Sequence, residues 1–194
     1  MDNQTYRTLE GSLAFYHPTG NGNGSAVRFE LRPARRGREG CIFAEIAPQK
    51  TRAVRDPGQK RPATFDWQAR IVVKLGLSDL CAMMSVLEGR EDSAGGERGL
   101  FHQSADATTV IGFRRVTEPL AGYVFEVSRK MRTQNAPDPV RLRIVLGENE
   151  ACALRHVLAG SFFHLCFYWR SQEVAPLEPE PDPEEEVDAE DAPF

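Results

Sequence analysis

Several chemistries are missing their residues here. No two cysteines stand as Cys-x-x-Cys, and neither His-Glu-x-x-His nor Gly-x-Ser-x-Gly occurs. These absences remove dithiol redox, zinc-protease and serine-hydrolase readings. The glycine repeat Gly20, Gly22, Gly24 is not followed by Gly-Lys-Ser/Thr, so it is no P-loop. Acidic residues in the body are scattered, which leaves no two-metal nuclease centre. Cys152 and His156 stand four apart, and His164 lies two before Cys166. They read as core residues rather than a zinc site. A non-enzymatic chain with no metal and no cofactor is expected. The densest apolar stretch, 162–169, is interrupted by His164 and is far below the roughly 20 residues a membrane helix needs. Residues 1–6 show no charged start followed by an apolar core, so no signal peptide is expected and the cytoplasm is the expected compartment. The four cysteines Cys41, Cys81, Cys152 and Cys166 each have apolar neighbours and read as small buried residues in a reducing compartment.

Charge is present but segregated. Residues 173–194 carry 10 acidic residues and no Lys or Arg. Residues 1–172 keep 18 acidic against 24 basic residues, so a body of +6 is joined to a tail of −10. A basic globule with an acidic extension points to a polyanion-binding body. Pro176, Pro179, Pro181 and Pro183 block helix and central strand in the tail, and its little apolar surface cannot offset ordering, so 173–194 is expected to be disordered.

The body, 1–172, reads as an internal duplication of about 10–90 and 97–170. Residues 70–89 align without a gap on 141–160, with eight identities: Arg70/Arg141, Leu75/Leu146, Gly76/Gly147, Cys81/Cys152, Ala82/Ala153, Val86/Val157, Leu87/Leu158 and Gly89/Gly160. Upstream, Phe15, Tyr16 and His17 echo Leu100, Phe101 and His102. Period-two alternation predicts strands at 12–17, 25–32, 41–47 and 66–75, then at 99–104, 108–116, 122–130 and 140–146. A helix is predicted from Ser78 as N-cap to a stop near Gly89, with Leu80, Met83, Met84 and Leu87 as its apolar stripe. A second helix is predicted from about Asn149 to Trp169, with Leu154, Val157, Leu158, Leu165 and Trp169 along one broad face. The expected fold class is α+β: a four-stranded antiparallel sheet plus helix (ββββα), present twice.

Binding a single strand without sequence choice needs cations along the phosphates and flat side chains for the bases. The outward strand positions supply Arg28, Arg32, Arg70, Lys74, Arg114, Arg115, Arg129, Lys130, Arg141 and Arg143. Basic loops add Arg35, Arg36 and Arg38, and Arg52, Arg55, Lys60 and Arg61. Phe113 is in phase with Arg115, and Tyr123 and Phe125 with Arg129, so these three are the expected stacking residues. Trp67 is in phase with Ile71 and Val73 and is expected in the core. His17 and His102, at matching places, are expected to share a structural role.

The strand and helix order resembles the plant whirly proteins and related transcription-coactivator single-stranded DNA binders. That resemblance implies a curved sheet that carries nucleic acid and helices that assemble a homo-oligomer, a dimer or tetramer. The last residues, Asp188, Glu190, Asp191, Ala192, Pro193 and Phe194, resemble the acidic Pro-Phe tip of bacterial single-stranded DNA-binding proteins. This implies docking of replication, recombination and repair proteins. The chain also resembles proteins of integrating conjugative elements. An RNA-binding or protein–protein adaptor factor of a mobile element is the alternative. If the tail competes for the basic body, deleting 173–194 raises affinity for a labelled oligonucleotide at low salt. The gain shrinks as the screening length falls toward about 10 Å at 0.1 M; equal affinities at low salt would reject the competition.

Overall fold

The computed structural model describes residues 11–56, 58–118, 121–133 and 137–167, without the side chain of Arg55. The expected disordered tail lies outside the described residues. Strands β1 (Ser12–His17), β2 (Ser25–Arg32) and β3 (Cys41–Thr51) form an antiparallel meander. A small hairpin follows, β4 (Val54–Asp56) with β5 (Gln59–Arg61). Then β6 (Thr64–Phe65) pairs the far end of β3, and β7 (Ile71–Leu75) pairs Ile42–Ile46 of the same strand. Helix α1 (Leu77–Leu87) closes the first unit. The second unit is a plain meander of β8 (Leu100–Gln103), β9 (Ala107–Val116), β10 (Gly122–Met131) and β11 (Val140–Leu146), closed by α2 (Glu148–Cys166).

The fold is thus the expected α+β duplication, with one local difference. The strand expected at 66–75 is broken by a turn, in which Asp66 N–H donates to Pro48 O, and Gln68 N–H (3.1 Å) and Ala69 N–H (3.1 Å) both donate to Asp66. The hairpin and β6 therefore form an insertion between β3 and β7, where the second unit has only residues 132–139 between β10 and β11.

Both sheets turn one face to a single core. Val27, Phe29, Ile42, Ala44, Ile46, Val73 and Leu75 from the first sheet meet Ile111, Phe113, Phe125, Val127, Ile144 and Leu146 from the second. The rings of Phe29 and Phe125 meet edge to face at 5.6 Å between centroids. Leu80, Met83, Met84 and Leu87 of α1 are buried as the stripe predicts, each contributing about 1.5–3 kcal/mol. On α2, Leu154, Leu158 and Leu165 are buried but Val157 is 39% exposed, and Trp169 lies outside the described residues. Helix faces also correct the cysteine expectation. Only Cys41 is buried, while Cys81, Cys152 and Cys166 are exposed because they project from helix faces turned away from the core.

The helix starts differ from expectation as well. Gly76, not Ser78, is the N-cap of α1, and Gly147 caps α2. Neither glycine has a side chain to satisfy the open N–H groups of the first turn. The third helical residue does this instead: Asp79 Oδ2 accepts from Gly76 N–H and Glu150 Oε2 accepts from Gly147 N–H, both at 2.9 Å. Each carboxylate is also held by a histidine from the other unit. His17 Nε2 of β1 lies 2.7 Å from Glu150 Oε1, and His102 Nε2 of β8 lies 3.1 Å from Asp79 Oδ1. The matching histidines therefore do share one structural role, a reciprocal clasp between repeats.

Gly89 and its repeat mate Gly160 part company. Gly89 takes φ +71° and ends α1, whereas Gly160 lies inside α2, which runs on through the apolar residues after it. At the far end of α2, Ala34 N–H donates to His164 O (2.7 Å) and Gly40 N–H to Leu165 O (3.1 Å), which satisfies carbonyls of the last turn. A Cβ on Gly40 would stand 2.7 Å from Leu165 Cα, so only glycine allows this approach.

We expect His17→Ala and His102→Ala each to cost about 1 kcal/mol, near the net value of a part-exposed charged hydrogen bond. Urea unfolding of a His17/Glu150 double-mutant cycle measures the coupling; a coupling indistinguishable from zero would remove the clasp as a stabilising element.

Candidate nucleic-acid interface

With the inner faces in the core, each sheet has an outer face. Strand register orders it into rows. On the second sheet, Phe101 lies across from Val110, Val110 from Ser128, and Ser128 from Arg141. The neighbouring row runs Gly112, Glu126, Arg143. Arg114 and Lys130 lie on the same face. On the first sheet the equivalent row runs Tyr16, Ala26, Ala47, one position beyond the Ile46–Ile71 pair and so beside Arg70. Each outer face thus has an aromatic on its first strand and an arginine at its last, Arg70 directly before β7 and Arg141 within β11. Three strand spacings, about 14 Å, separate them.

Eight of the ten arginines and lysines expected on outward strand positions lie on these outer faces: Arg28, Arg32, Arg70, Lys74, Arg114, Lys130, Arg141 and Arg143. Arg115 and Arg129 do not. They are inward-phase residues at the ends of the core face. Arg129 Nη2 donates to Val72 O and its Nε to Thr109 Oγ1 (3.2 Å), binding the second sheet to the first. Arg115 N–H donates to Asp92 O (3.0 Å) and its guanidinium lies 3.8 Å from Glu148.

The expected stacking residues are corrected by the same fact. Phe113 and Phe125 are 0% exposed and Tyr123 is 6% exposed. They are in phase with Arg115 and Arg129, as the sequence says, but those arginines mark the inner face, so the phase carried the aromatics into the core. Phe113 stacks on Tyr123 at 5.9 Å and meets Phe125 at 6.5 Å. On the outer faces of the sheets the exposed aromatics are instead Tyr16 (55%) and Phe101 (61%). Their signal was the Phe15–His17 and Leu100–His102 echo, where the middle residue is out of phase with the core.

The two outer faces differ electrostatically. On the first, Glu45 is buried and accepts from Arg28 Nε at 2.8 Å. Arg70 Nε lies 3.0 Å from the same oxygen as an ion pair without hydrogen-bond geometry, and that buried N–H has no acceptor. Arg32 pairs with Glu30 at 2.7 Å. On the second face, among the described residues, Arg114, Lys130, Arg141 and Arg143 have no carboxylate within 4.0 Å.

Trp67 is also corrected. The turn at 66–70 breaks the period-two phase and puts the indole on the outer face, half-buried, with the Arg28 guanidinium 4.7 Å above its ring. Of the basic loops, Arg35, Arg36 and Arg38 are exposed beside the end of α2, Arg52 is exposed between β3 and the inserted hairpin, and Lys60 and Arg61 are exposed on the hairpin itself. Burial pushes the Cys41 thiol up against the pull of Lys74 and Arg32, which leaves it an inert packing group. Cys152 Sγ is 3.7 Å from His156 Nδ1, and among the described residues no three potential metal ligands converge. No described helix is long and apolar enough to cross a membrane. The tip residues Asp188, Glu190, Asp191, Ala192, Pro193 and Phe194 lie outside the described residues.

The reassignment of the aromatics is testable. Phe125→Ala is expected to destabilise by about 3–5 kcal/mol in chemical denaturation, whereas Phe101→Ala is expected to change stability by less than about 1 kcal/mol. Equal losses would return Phe101 to the core.

No protein-family model matches the sequence, and no curated protein matches it. Solved structures do. WHY3 from Arabidopsis thaliana superposes with a TM-score of 0.59 at 15% identity, covering 81% of this chain and 89% of that one. The plant transcriptional regulator PBF-2 gives 0.57 at 16%, covering 81% and 91%. A guideRNA-binding protein complex bound to a gRNA gives 0.50 at 16%, covering 79% and 90%. Two meanders, each closed by a helix and joined over one core, are the fold of the Whirly proteins, and that fold is this chain's fold.

Proposed function

We propose that this chain binds single-stranded DNA without sequence choice, along the outer faces of its two sheets. The observation that carries the reading is the second outer face. Its four cations Arg114, Lys130, Arg141 and Arg143 are unpaired among the described residues, and exposed Phe101 lies in the same row as Arg141. Phosphates meet the cations and unstacked bases meet the flat rings of Phe101 and Tyr16. The first face adds Arg28, Arg32, Arg70 and Lys74, although Glu45 and Glu30 neutralise part of that charge. Nothing in this scheme needs a cofactor or a bond-making step, so the role is binding and protection rather than catalysis.

The acidic tail completes the reading. Phe194 and its acidic lead-in offer an apolar anchor ringed by negative charge. A partner pocket of apolar residues rimmed by Arg and Lys would capture it. The partners fitting a single-strand binder are proteins of replication, recombination and repair, including those a mobile element uses. Assembly into a homo-oligomer would align several outer faces into one path. The cytoplasm is the compartment this reading assigns.

RNA is the second reading, supported by the likeness to the guideRNA-binding complex. Competition between DNA and RNA of equal sequence separates the two.

The test is fluorescence anisotropy with labelled single strands over a salt series. Arg141→Ala with Arg143→Ala is expected to weaken binding and to lower the slope of log K against log salt by about 1.4, or 0.7 per phosphate contact on a single strand. An unchanged slope in a folded double variant would overturn the assignment of the second face.

A further inference from the structure

The two outer faces are equivalent by sequence repeat but not by structure. On the second sheet the small residues between Phe101 and Arg141, Val110 and Ser128, are partly exposed. On the first sheet their counterparts Ala26 and Ala47 are both 0% exposed, although they face away from the core. The insertion between β3 and β7 reaches this row at Tyr16. It brings Phe65 to 5.6 Å from Tyr16 and Trp67 to 6.5 Å from Tyr16, the latter nearly perpendicular at 81°. Together with Pro18 and Pro62, these rings line an open groove of about 530 Å³.

The groove's walls are apolar and flat. Its surroundings are cationic. Arg28 lies over the indole of Trp67 and is itself tied to Glu45, so one face of the indole has a fixed partner. Exposed Lys60 and Arg61 end the inserted hairpin directly before the lining residue Pro62, and exposed Arg52 follows Thr51, the strand partner of the lining residue Thr64; Arg52 is anchored through Nη2 to Asn21 O at 3.0 Å. An apolar slot of this kind, bordered by positive charge, suits a ligand whose flat part is neutral and whose linkage is anionic. That is a nucleotide of a single strand. A base within a duplex cannot enter, because its faces and its pairing edge are already engaged.

We propose that the groove between Tyr16, Phe65 and Trp67 takes one unpaired base of the bound strand, with its flanking phosphates on Arg52, Lys60 and Arg61, and that this subsite, absent from the second sheet, sets the preference for single strands over duplex. The proposal rests on the reading of the outer faces as a nucleic-acid surface. It divides the labour: the second face supplies unpaired cations and the single open ring of Phe101, and the groove supplies the walled site that selects.

Two tryptophans occur in the chain, Trp67 and Trp169. A Trp169→Phe chain therefore reports from Trp67 alone. Adding oligo-dT is expected to quench its emission in step with anisotropy, and duplex of the same length is expected to leave it unchanged. In the full chain, Trp67→Ala is expected to weaken single-strand binding by on the order of tenfold and to leave duplex binding within about twofold. Trp67→Phe retains most of the affinity, which guards against a folding artefact. Binding without quenching, or equal loss for single strand and duplex, overturns the subsite while leaving the outer-face reading intact. No binding to either nucleic acid, before and after removal of 173–194, fails the outer-face reading itself. Quenching by an acidic proline-rich peptide of residues 176–186, with none by oligo-dT, would assign the groove to peptide and overturn the proposal.

Discussion

The contact between Phe29 and Phe125 joins the two sheets through the middle of one core. Once the meanders share a core, each has only one face left for anything else. The positions of every outward arginine, of Tyr16 and of Phe101 follow from that constraint. So does the burial of Phe113, Tyr123 and Phe125 on the inner face of β9 and β10. Aromatic side chains bury large areas and gain from edge-to-face contact, and a core between two sheets is where this chain uses them.

The reciprocal histidine–carboxylate clasp adds direction to that core. Apolar packing alone is tolerant of sliding. His17 on Glu150 and His102 on Asp79 fix where each helix begins relative to the opposite sheet's first strand. Because Asp79 and Glu150 also satisfy the glycine caps, the start of each helix and the seating of the other unit are one piece of chemistry.

Much of this was legible in the sequence. Strands at 12–17, 25–32 and 140–146 agree with the structure to the residue, since clean alternation there reflects one buried and one wet face. The stripe on α1 was equally plain. Two kinds of information were not. Alternation says which residues share a face, but not which face is outside, and the arginines misled because Arg115 and Arg129 sit at the rim of the inner one. Phase also fails across a turn, so Trp67 could not be followed from Ile71 through 66–70. The glycine caps rest on a carboxylate only three residues on, where a search for Ser or Thr caps does not look; the clasp depends on contacts 23 and 133 residues apart, for which no local pattern exists. Only the echo of Phe15–His17 in Leu100–His102 hinted at them.

The clasp makes this chain resemble a dimer written on one polypeptide. Each half holds the ligand that completes the other's helix, just as two identical subunits related by a twofold axis exchange the same contact in both directions. Fusion frees the halves from having to remain alike. A symmetric pair must carry any insertion twice, but a fused pair can elaborate one side only. The segment between β3 and β7 is such an elaboration, so the asymmetry of the two surfaces is a freedom that covalent linkage of the repeats permits.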